Sequence, residues 1–213
     1  MRPIKAALNS KTERMFEHDL FEFFSRTPWW IPLILFVPII LGATLRAFEL
    51  GTGPLAFAGL FSAGLVIWTL LEYWLHRLVF HYEAKSRFGK KLIWYAHGVH
   101  HDWPNDKLRL VFPPAVSVPL AAIFFGLFTL GFGEVHRWGA FAGLVSGYLA
   151  YDMIHYFTHF YAFDGRVLKF LRAYHMAHHF KHEPLRFGVS NPLWDYVFGT
   201  APARAATRAT DPS

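Results

Sequence analysis

The sequence predicts an all-α integral membrane protein with four transmembrane helices, and three observations carry that reading. Of the 213 residues, 54% are hydrophobic and only 17% are charged, below the quarter usual in soluble domains. The apolar residues are gathered into long runs with almost no charge. There is no Cys, yet there are 13 His. The missing Cys excludes disulfides, iron–sulfur clusters and thiolate zinc sites. The low charge excludes a disordered chain, and the length fits one domain, or two at most.

The runs define the elements. Residues 29–45 carry no charge, nor do residues 50–71 or 110–133, and residues 138–163 carry only Asp152. A hydrocarbon core of ~30 Å is crossed by about 20 apolar helical residues. Spans are therefore predicted at roughly 30–49, 54–78, 113–132 and 138–159. A large soluble helical core is the alternative, but soluble helices keep a polar face and these runs have none.

Residues 1–29 lack the central apolar run of a signal peptide. They hold Phe16, Leu20, Phe23 and Phe24 at helical spacing among Glu13, Glu17 and Glu22. This predicts either an interfacial helix lying on the membrane or a helix packed on the protein itself. Residues 30–200 form the membrane domain. Residues 201–213 are small and polar and are expected to be disordered.

Nineteen of the 21 Lys and Arg lie in residues 1–30, 76–112 and 160–213. The positive-inside rule then places both termini and the long middle segment in the cytoplasm. The net charge of +6 is mostly this topology signal. There is no basic stripe with base-reading residues, so no nucleic-acid partner is expected.

Ten of the 13 His fall in four short windows: His76 and His81; His97, His100 and His101; His155 and His159; His175, His178 and His179. On a helix, i, i+3 and i+4 neighbours share a face. His76 and His81 are five apart and would diverge by about 140° on a regular α-helix. They therefore either serve two different metals or lie where the helix ends and bends. The topology brings all four windows to the cytoplasmic side, at one depth. Ten imidazoles in an apolar protein would need many partners as a plain core. As ligands they suit zinc, copper, iron or nickel, and ten exceed the three or four of one zinc. The expectation is a dinuclear metal site in a cytoplasmic helical cap.

Metal-bound His usually passes its other N–H to a carboxylate or carbonyl. Glu72 lies four before His76 and Asp152 three before His155, so both are candidates to accept from those rings. Asp195 is a further candidate, although Asn191, Pro192 and Asp195 also read as the start of a short helix. His182 is close enough to the last window to reach the site, whereas His18 and His136 read as interfacial or surface residues. Trp74, Tyr95, Tyr151, Tyr156, Phe157 and Tyr174 could wall a dry substrate cavity, or belong to the aromatic belt of the interface.

The windows HRLVFH, HGVHH, HYFTH and HMAHH resemble the histidine boxes of the fatty acid hydroxylase and sterol desaturase superfamily. The flanks LEYWLHRLVFH, RLVFPP, GYLAYDMIHYFTHF and FGVSNPLWDYVFGT resemble the membrane domain of fatty acid 2-hydroxylases over roughly residues 60–200. The resemblance implies a non-haem di-iron monooxygenase that takes O2 and two electrons to hydroxylate a lipid acyl chain. The attacked carbon would be C2 of a fatty acid or of a sphingolipid's N-acyl chain, and the ten clustered His would be the metal ligands. Zinc binds nitrogen sites more tightly than ferrous iron, so a purified sample could carry zinc in place of iron.

Nothing in the chain resembles the haem motif of the cytochrome b5 domain fused to the eukaryotic relatives. Electrons would then come from a separate donor, cytochrome b5-like, ferredoxin-like or a flavin reductase, docked on the basic face. Two alternatives stay open. One is sterol or carotenoid hydroxylation or lipid desaturation within the same superfamily. The other is a non-enzymatic metal transporter or sensor, although transport sites belong near mid-membrane.

Overall fold

The structure is a computed structural model that describes residues 1–3, 11–181 and 184–202. Three helices are long and apolar enough to cross a membrane: α2 (Ile31–Glu49), α3 (Pro54–Trp74, prolonged to Phe80) and α6 (Pro114–Phe160). Each opens with a proline in its first turn, where the missing N–H costs no helical hydrogen bond. Shorter helices surround them: α1 (Asp19–Ser25), α4 (Arg87–Ile93), α5 (Val99–Asp102), α7 (Arg166–Phe180) and α8 (Leu193–Val197). The two-residue strands β1 (Arg2–Pro3) and β2 (Tyr161–Ala162) pair antiparallel, a small departure from the all-α expectation.

The third and fourth apolar runs are joined differently from the sequence expectation. No loop separates them; α6 runs through 47 residues and is broken only at Gly133, with φ 73° and ψ 174°. Glycine tolerates that backbone where other residues rarely go. The polar residues 134–137, expected as a connection, are already helical, with Glu134 and Arg137 paired at 2.6 Å. Arg137 also donates to Thr129 Oγ1 at 2.6 Å and lies over the Phe125 ring, so it ties the two arms of α6 together across the break.

The arm of α6 after Gly133 is the centre of the packing. α2 and α3 lie against it, with Phe36, Trp68, Val145 and Tyr148 interlocked and buried. Gly64 and Gly143 allow α3 and α6 to touch backbone to backbone. A Cβ on Gly64 would stand 1.9 Å from the Ala140 carbonyl oxygen, and one on Gly143 would stand 2.0 Å from that of Phe61. Small residues give this close approach between apolar helices, where no difference in hydrophobicity drives association. The outer faces stay bare: Ile34, Leu41, Leu45, Ile123 and Leu130 are all more than half exposed, as helices surrounded by lipid would be.

Of residues 1–29, the helical part is shorter than the spacing suggested. α1 has seven residues and begins after His18, whose Nδ1 caps it by accepting from Leu20 N. Phe16 lies outside it and stacks on Tyr95 instead. Buried Glu22 explains how the segment is held. It accepts from the backbone N–H groups of Met15 and Phe16 and from Arg26 and Arg109. Arg109 in turn donates to Glu13 O and Ser25 Oγ, and Thr12 donates to Asp106. The other side of α1 exposes Leu20, Phe21, Phe23 and Phe24. Of residues 201–213, expected to be disordered, only Ala201 and Pro202 are described. Ala201 N donates to Asp195 O, and the remainder lies outside the described residues.

Burial alone would push the Glu22 carboxyl up, but the N–H groups of Phe16 and Met15 and the Arg109 and Arg26 guanidiniums outweigh it and hold it below 4.5. A depressed carboxylate stabilises the fold above its unfolded pKa, and the contribution is lost as pH falls through the folded value. Arg109→Met should lower stability at neutral pH by about 1–3 kcal/mol, because Glu22 loses its buried partner and keeps only the half-exposed Arg26 and two backbone N–H groups. The pair Arg109→Met with Glu22→Leu should recover a large part. Thermal unfolding in detergent checks this; equal losses in the single and double variants would show that the ion pair is not what holds the segment.

Candidate metal centre

All ten clustered His come together at one end of the helices, in two groups of five. His76, His81, His97, His101 and His178 form the first, and His100, His155, His159, His175 and His179 the second; within each group the ligand atoms lie within 4.8 Å of one another. The groups adjoin, the His101 ring stacking on that of His179 with centroids 4.2 Å apart. Eight of the ten are buried, and His81 and His101 are half-buried.

Local backbone geometry explains how each window is divided. After Trp74, α3 widens into a π-helical turn, Leu75–Phe80, in which His81 N donates to His76 O at 3.2 Å. The i→i+5 turn cancels the divergence that an α-helix would impose, so both rings enter one group. Such turns recur at functional sites. A second π-helical turn, Trp94–Gly98, leads into α5. There the i, i+4 pair His97 and His101 points to the first group, and His100 to the second. On α7 the i, i+4 pair His175 and His179 joins the second group, and His178 the first. His155 and His159, at the end of α6, stay together.

The tautomers are fixed by carbonyls. His76 Nδ1 donates to Phe187 O at 2.6 Å, and His178 Nδ1 to Leu185 O at 2.8 Å. A carbonyl can only accept, so these Nδ1 atoms carry the proton and Nε2 of each ring presents a bare lone pair. The Nε2 atoms face inward. His76 stands 3.2 Å from His97 and from His81, and His81 stands 3.0 Å from His178. In the second group, His155–His100, His100–His179, His179–His175 and His175–His159 are 2.9–3.1 Å apart.

Each such pair of nitrogens can share one N–H or take a cation between them, and the bare Nε2 lone pairs of His76 and His178 suit a cation. Two nitrogens about 2.1 Å from one ion and at right angles to each other are ~3 Å apart, so each group fits a metal with its nitrogens alone. Imidazole suits iron, zinc, copper and nickel alike.

Burial keeps the rings available as ligands. Desolvation first, and then the neighbouring rings, hold His97, His100 and His175 well below the ordinary 6.5. His81 is pushed to about 4 by burial and by His178. His101 is pushed to about 3 by burial and by His178, His81 and His155. Neutral imidazole, the form that binds metal, therefore predominates at neutral pH.

The carboxylates expected to accept from the ligands do not touch them. Glu72 accepts from Val189 N at 2.6 Å, from Ser190 N at 2.7 Å and from the Ser190 hydroxyl. Asp195 accepts from Phe187 N and Gly188 N, both at 2.8 Å, and from Thr200. Together they hold the loop 187–190, whose Phe187 carbonyl is the partner of His76. A helical offset of four placed Glu72 on the right face, but its side chain is drawn across to backbone N–H groups that have no other acceptor. Asn191 caps the start of α8 by accepting from Leu193 N.

Asp152 is likewise turned away, accepting from Tyr148 OH and Phe112 N, and His155 Nδ1 has no partner among the described residues. The carbonyls of Leu185 and Phe187 were not legible in advance, because backbone partners leave no residue signature. His18 and His136 are exposed, as expected; His182 lies outside the described residues.

A cavity of about 500 Å3 opens beside both groups, within the range of ligand pockets. His97 of the first group and His100 and His155 of the second line it. At one end it meets Phe16, Ser25, Tyr95 and Arg109, and from there it runs between α3 and the two arms of α6 to Phe124 and Leu144. Tyr95 and Tyr151 line it, as expected. Trp74, Tyr156, Phe157 and Tyr174 do not: Trp74 packs on Phe198, Tyr156 and Phe157 on Trp29, and Tyr174 on Phe170. Proximity to a histidine window in sequence said nothing of which side of the helix faces the cavity. Trp68, Phe112 and Tyr148 line it in their place.

A helical fold with spans long and apolar enough to cross a membrane, and with two all-histidine groups beside an apolar cavity, could hold metal next to a lipid chain. Residues 61–200 match the fatty acid hydroxylase family model. The chain is 36% identical over 195 residues to a dihydroceramide fatty acyl 2-hydroxylase of Arabidopsis thaliana, covering 92% of this chain and 82% of that protein. It is 38% identical over 208 residues to the fatty acid 2-hydroxylase of Rattus norvegicus, covering 88% of this chain but 56% of the relative. The chain thus spans little more than half the length of some of its relatives. Among solved structures, the hydroxylase domain of Scs7p superposes with a TM-score of 0.80 at 34% identity, over 87% of this chain and 71% of that one. The chain belongs to the fatty acid hydroxylase family.

Two five-ligand groups predict separable metal binding. The pair His76→Ala with His81→Ala should lower the metal content of the purified protein from about two ions per chain toward one. The pair His155→Ala with His159→Ala should do the same through the other group. Elemental analysis reads both; full retention of two ions in either variant would contradict the assignment.

Proposed function

We propose that this protein uses two iron ions and O2 to hydroxylate a lipid acyl chain at C2, on a fatty acid or the N-acyl chain of a sphingolipid. The observation that carries the reading is that both histidine groups open on one apolar cavity. The names of the relatives support the chemistry: dihydroceramide fatty acyl 2-hydroxylase and fatty acid 2-hydroxylase. The balanced reaction takes one C–H bond, O2, two electrons and two protons to one C–OH bond and one water. When bound, iron would supply the activation of O2 that no protein side chain can provide.

The residues of the chain do the rest. Nε2 of His76, His81, His97, His101 and His178 would hold one ion, and Nε2 of His100, His155, His159, His175 and His179 the other. The Phe187 and Leu185 carbonyls keep the protons of His76 and His178 on Nδ1, so Nε2 remains a donor of electrons to the metal. The cavity takes the alkyl tail and excludes water from the reacting carbon. The Tyr95 hydroxyl, in the part of the lining that also includes Ser25 and Arg109, suits a carboxyl or amide head group. A carbon adjacent to that head group then lies beside His97, His100 and His155, whereas a carbon far down the tail would not.

The same reading sets the topology. α2, α3 and the two arms of α6 are four membrane crossings, with the metal centre, both termini and the basic residues on the cytoplasmic side. The exposed phenylalanines of α1 lie in the interface beside the first crossing. Lys85, Arg87, Lys90 and Lys91 are exposed next to the first histidine group and suit an acidic electron donor, whether a cytochrome b5-like protein, a ferredoxin or a flavin reductase.

Expression in a host lacking 2-hydroxy lipids, followed by lipid mass spectrometry, tests the function. New acyl species with one oxygen added at C2 are expected, dependent on iron and on the histidine groups. An unchanged acyl pool with altered sterols or carotenoids would place the enzyme in another branch. No lipid change and no O2 consumption by iron-loaded, reduced protein would favour a transporter or sensor.

A further inference from the structure

We propose that Phe124 and Leu144 form the floor of the cavity and set the length of acyl chain that it accepts, an inference that rests on the acyl-hydroxylase reading. Three helix faces line the cavity in register. α3 contributes Trp68, Glu72 and Leu75; the arm of α6 before Gly133 contributes Val116, Leu120 and Phe124; the arm after it contributes Leu144, Tyr148, Tyr151 and His155. The steps of three and four place each set on a single helical face. On α3 the lining ends at Trp68, beside Gly147 and Tyr148, and on α6 it ends at Phe124 and Leu144. Beyond these residues, α3 and α6 close on each other through Gly64 and Gly143, whose absent side chains would strike opposing carbonyls. The gap toward the first arm of α6 is filled by Phe125 against Trp138 and Phe141, with centroids 4.8 and 5.0 Å apart. A chain descending from the histidines therefore meets Phe124 and Leu144 and then packed helix.

The depth follows from helix geometry. From His155 to Leu144 is eleven residues, or about 16 Å at ~1.5 Å per residue. A bond length of ~1.5 Å and a tetrahedral-like angle near 111° advance an extended alkyl chain by about 1.3 Å per carbon. The cavity thus holds about a dozen methylenes beyond a carbon placed at the histidines. Longer chains would have to bend or leave their ends outside.

The test is a competition series on the detergent-solubilised full chain. Saturated fatty acids of increasing even length displace a fluorescent fatty acid, and the same lengths are then assayed for 2-hydroxylation. Affinity should climb with each added pair of methylenes and break at about fourteen carbons in the wild type. Phe124→Ala, or the milder Phe124→Leu, should move the break to longer chains by two carbons or more. Leu144→Phe should move it to shorter chains. Opposite shifts in the two directions support the floor, and a break at the same length in wild type and variants overturns it. Shifted breaks without 2-hydroxy product would keep the floor and sink the hydroxylase reading. Product formation with unshifted breaks would do the reverse.

Discussion

Ten imidazoles form two groups of five whose facing nitrogens lie within 4.8 Å of one another, and backbone carbonyls leave His76 and His178 with a bare lone pair on Nε2. That arrangement suits a cation in each group, and much of the surrounding structure serves to position it. The two π-helical turns redirect His76, His81 and His97. The carboxylates of Glu72 and Asp195 hold the loop whose carbonyl fixes His76. The close contact of α3 and α6 at Gly64 and Gly143 brings the ends of those helices to the separation at which four sequence windows become two groups. Burial then keeps the rings neutral, so the binding form is present before any metal arrives.

The same geometry joins metal to lipid. Because the histidines sit at the ends of the apolar helices, the space between those helices begins at the metal level and continues toward the middle of the bundle. An amphiphile can keep a polar head among Ser25, Tyr95 and Arg109 while its tail enters between Trp68, Leu120 and Leu144. Selection of a position next to the head group is then a matter of depth.

Much of this was legible in the sequence, for identifiable reasons. Apolar runs report their own span because a bilayer demands length and the absence of charge. The gathering of the ten His was legible because His is rare in apolar segments and fell at helical spacing. The division into groups was not: it depends on whether the backbone between His76 and His81 is α or π, and no residue in HRLVFH declares that. The connection between the last two runs was misplaced because Glu134 and Arg137 look like loop residues, yet they pair along a helix that bends only at Gly133. Glu72 and Asp152 were assigned to ring N–H groups by helical offset, and Asp195 as a further candidate, but backbone N–H groups take Glu72 and Asp195, and the Tyr148 hydroxyl takes Asp152. The cavity aromatics failed for a related reason: Trp74 and Tyr174 adjoin histidines in sequence while facing other elements.

The central claim is that two metals occupy two specified groups of five nitrogens. X-ray anomalous scattering at the absorption edge of the metal found in the purified protein addresses it most directly. Two peaks are predicted, one enclosed by Nε2 of His76, His81, His97, His101 and His178, the other by Nε2 of His100, His155, His159, His175 and His179. A single peak shared between the groups, or metal bound away from these nitrogens, would contradict the account.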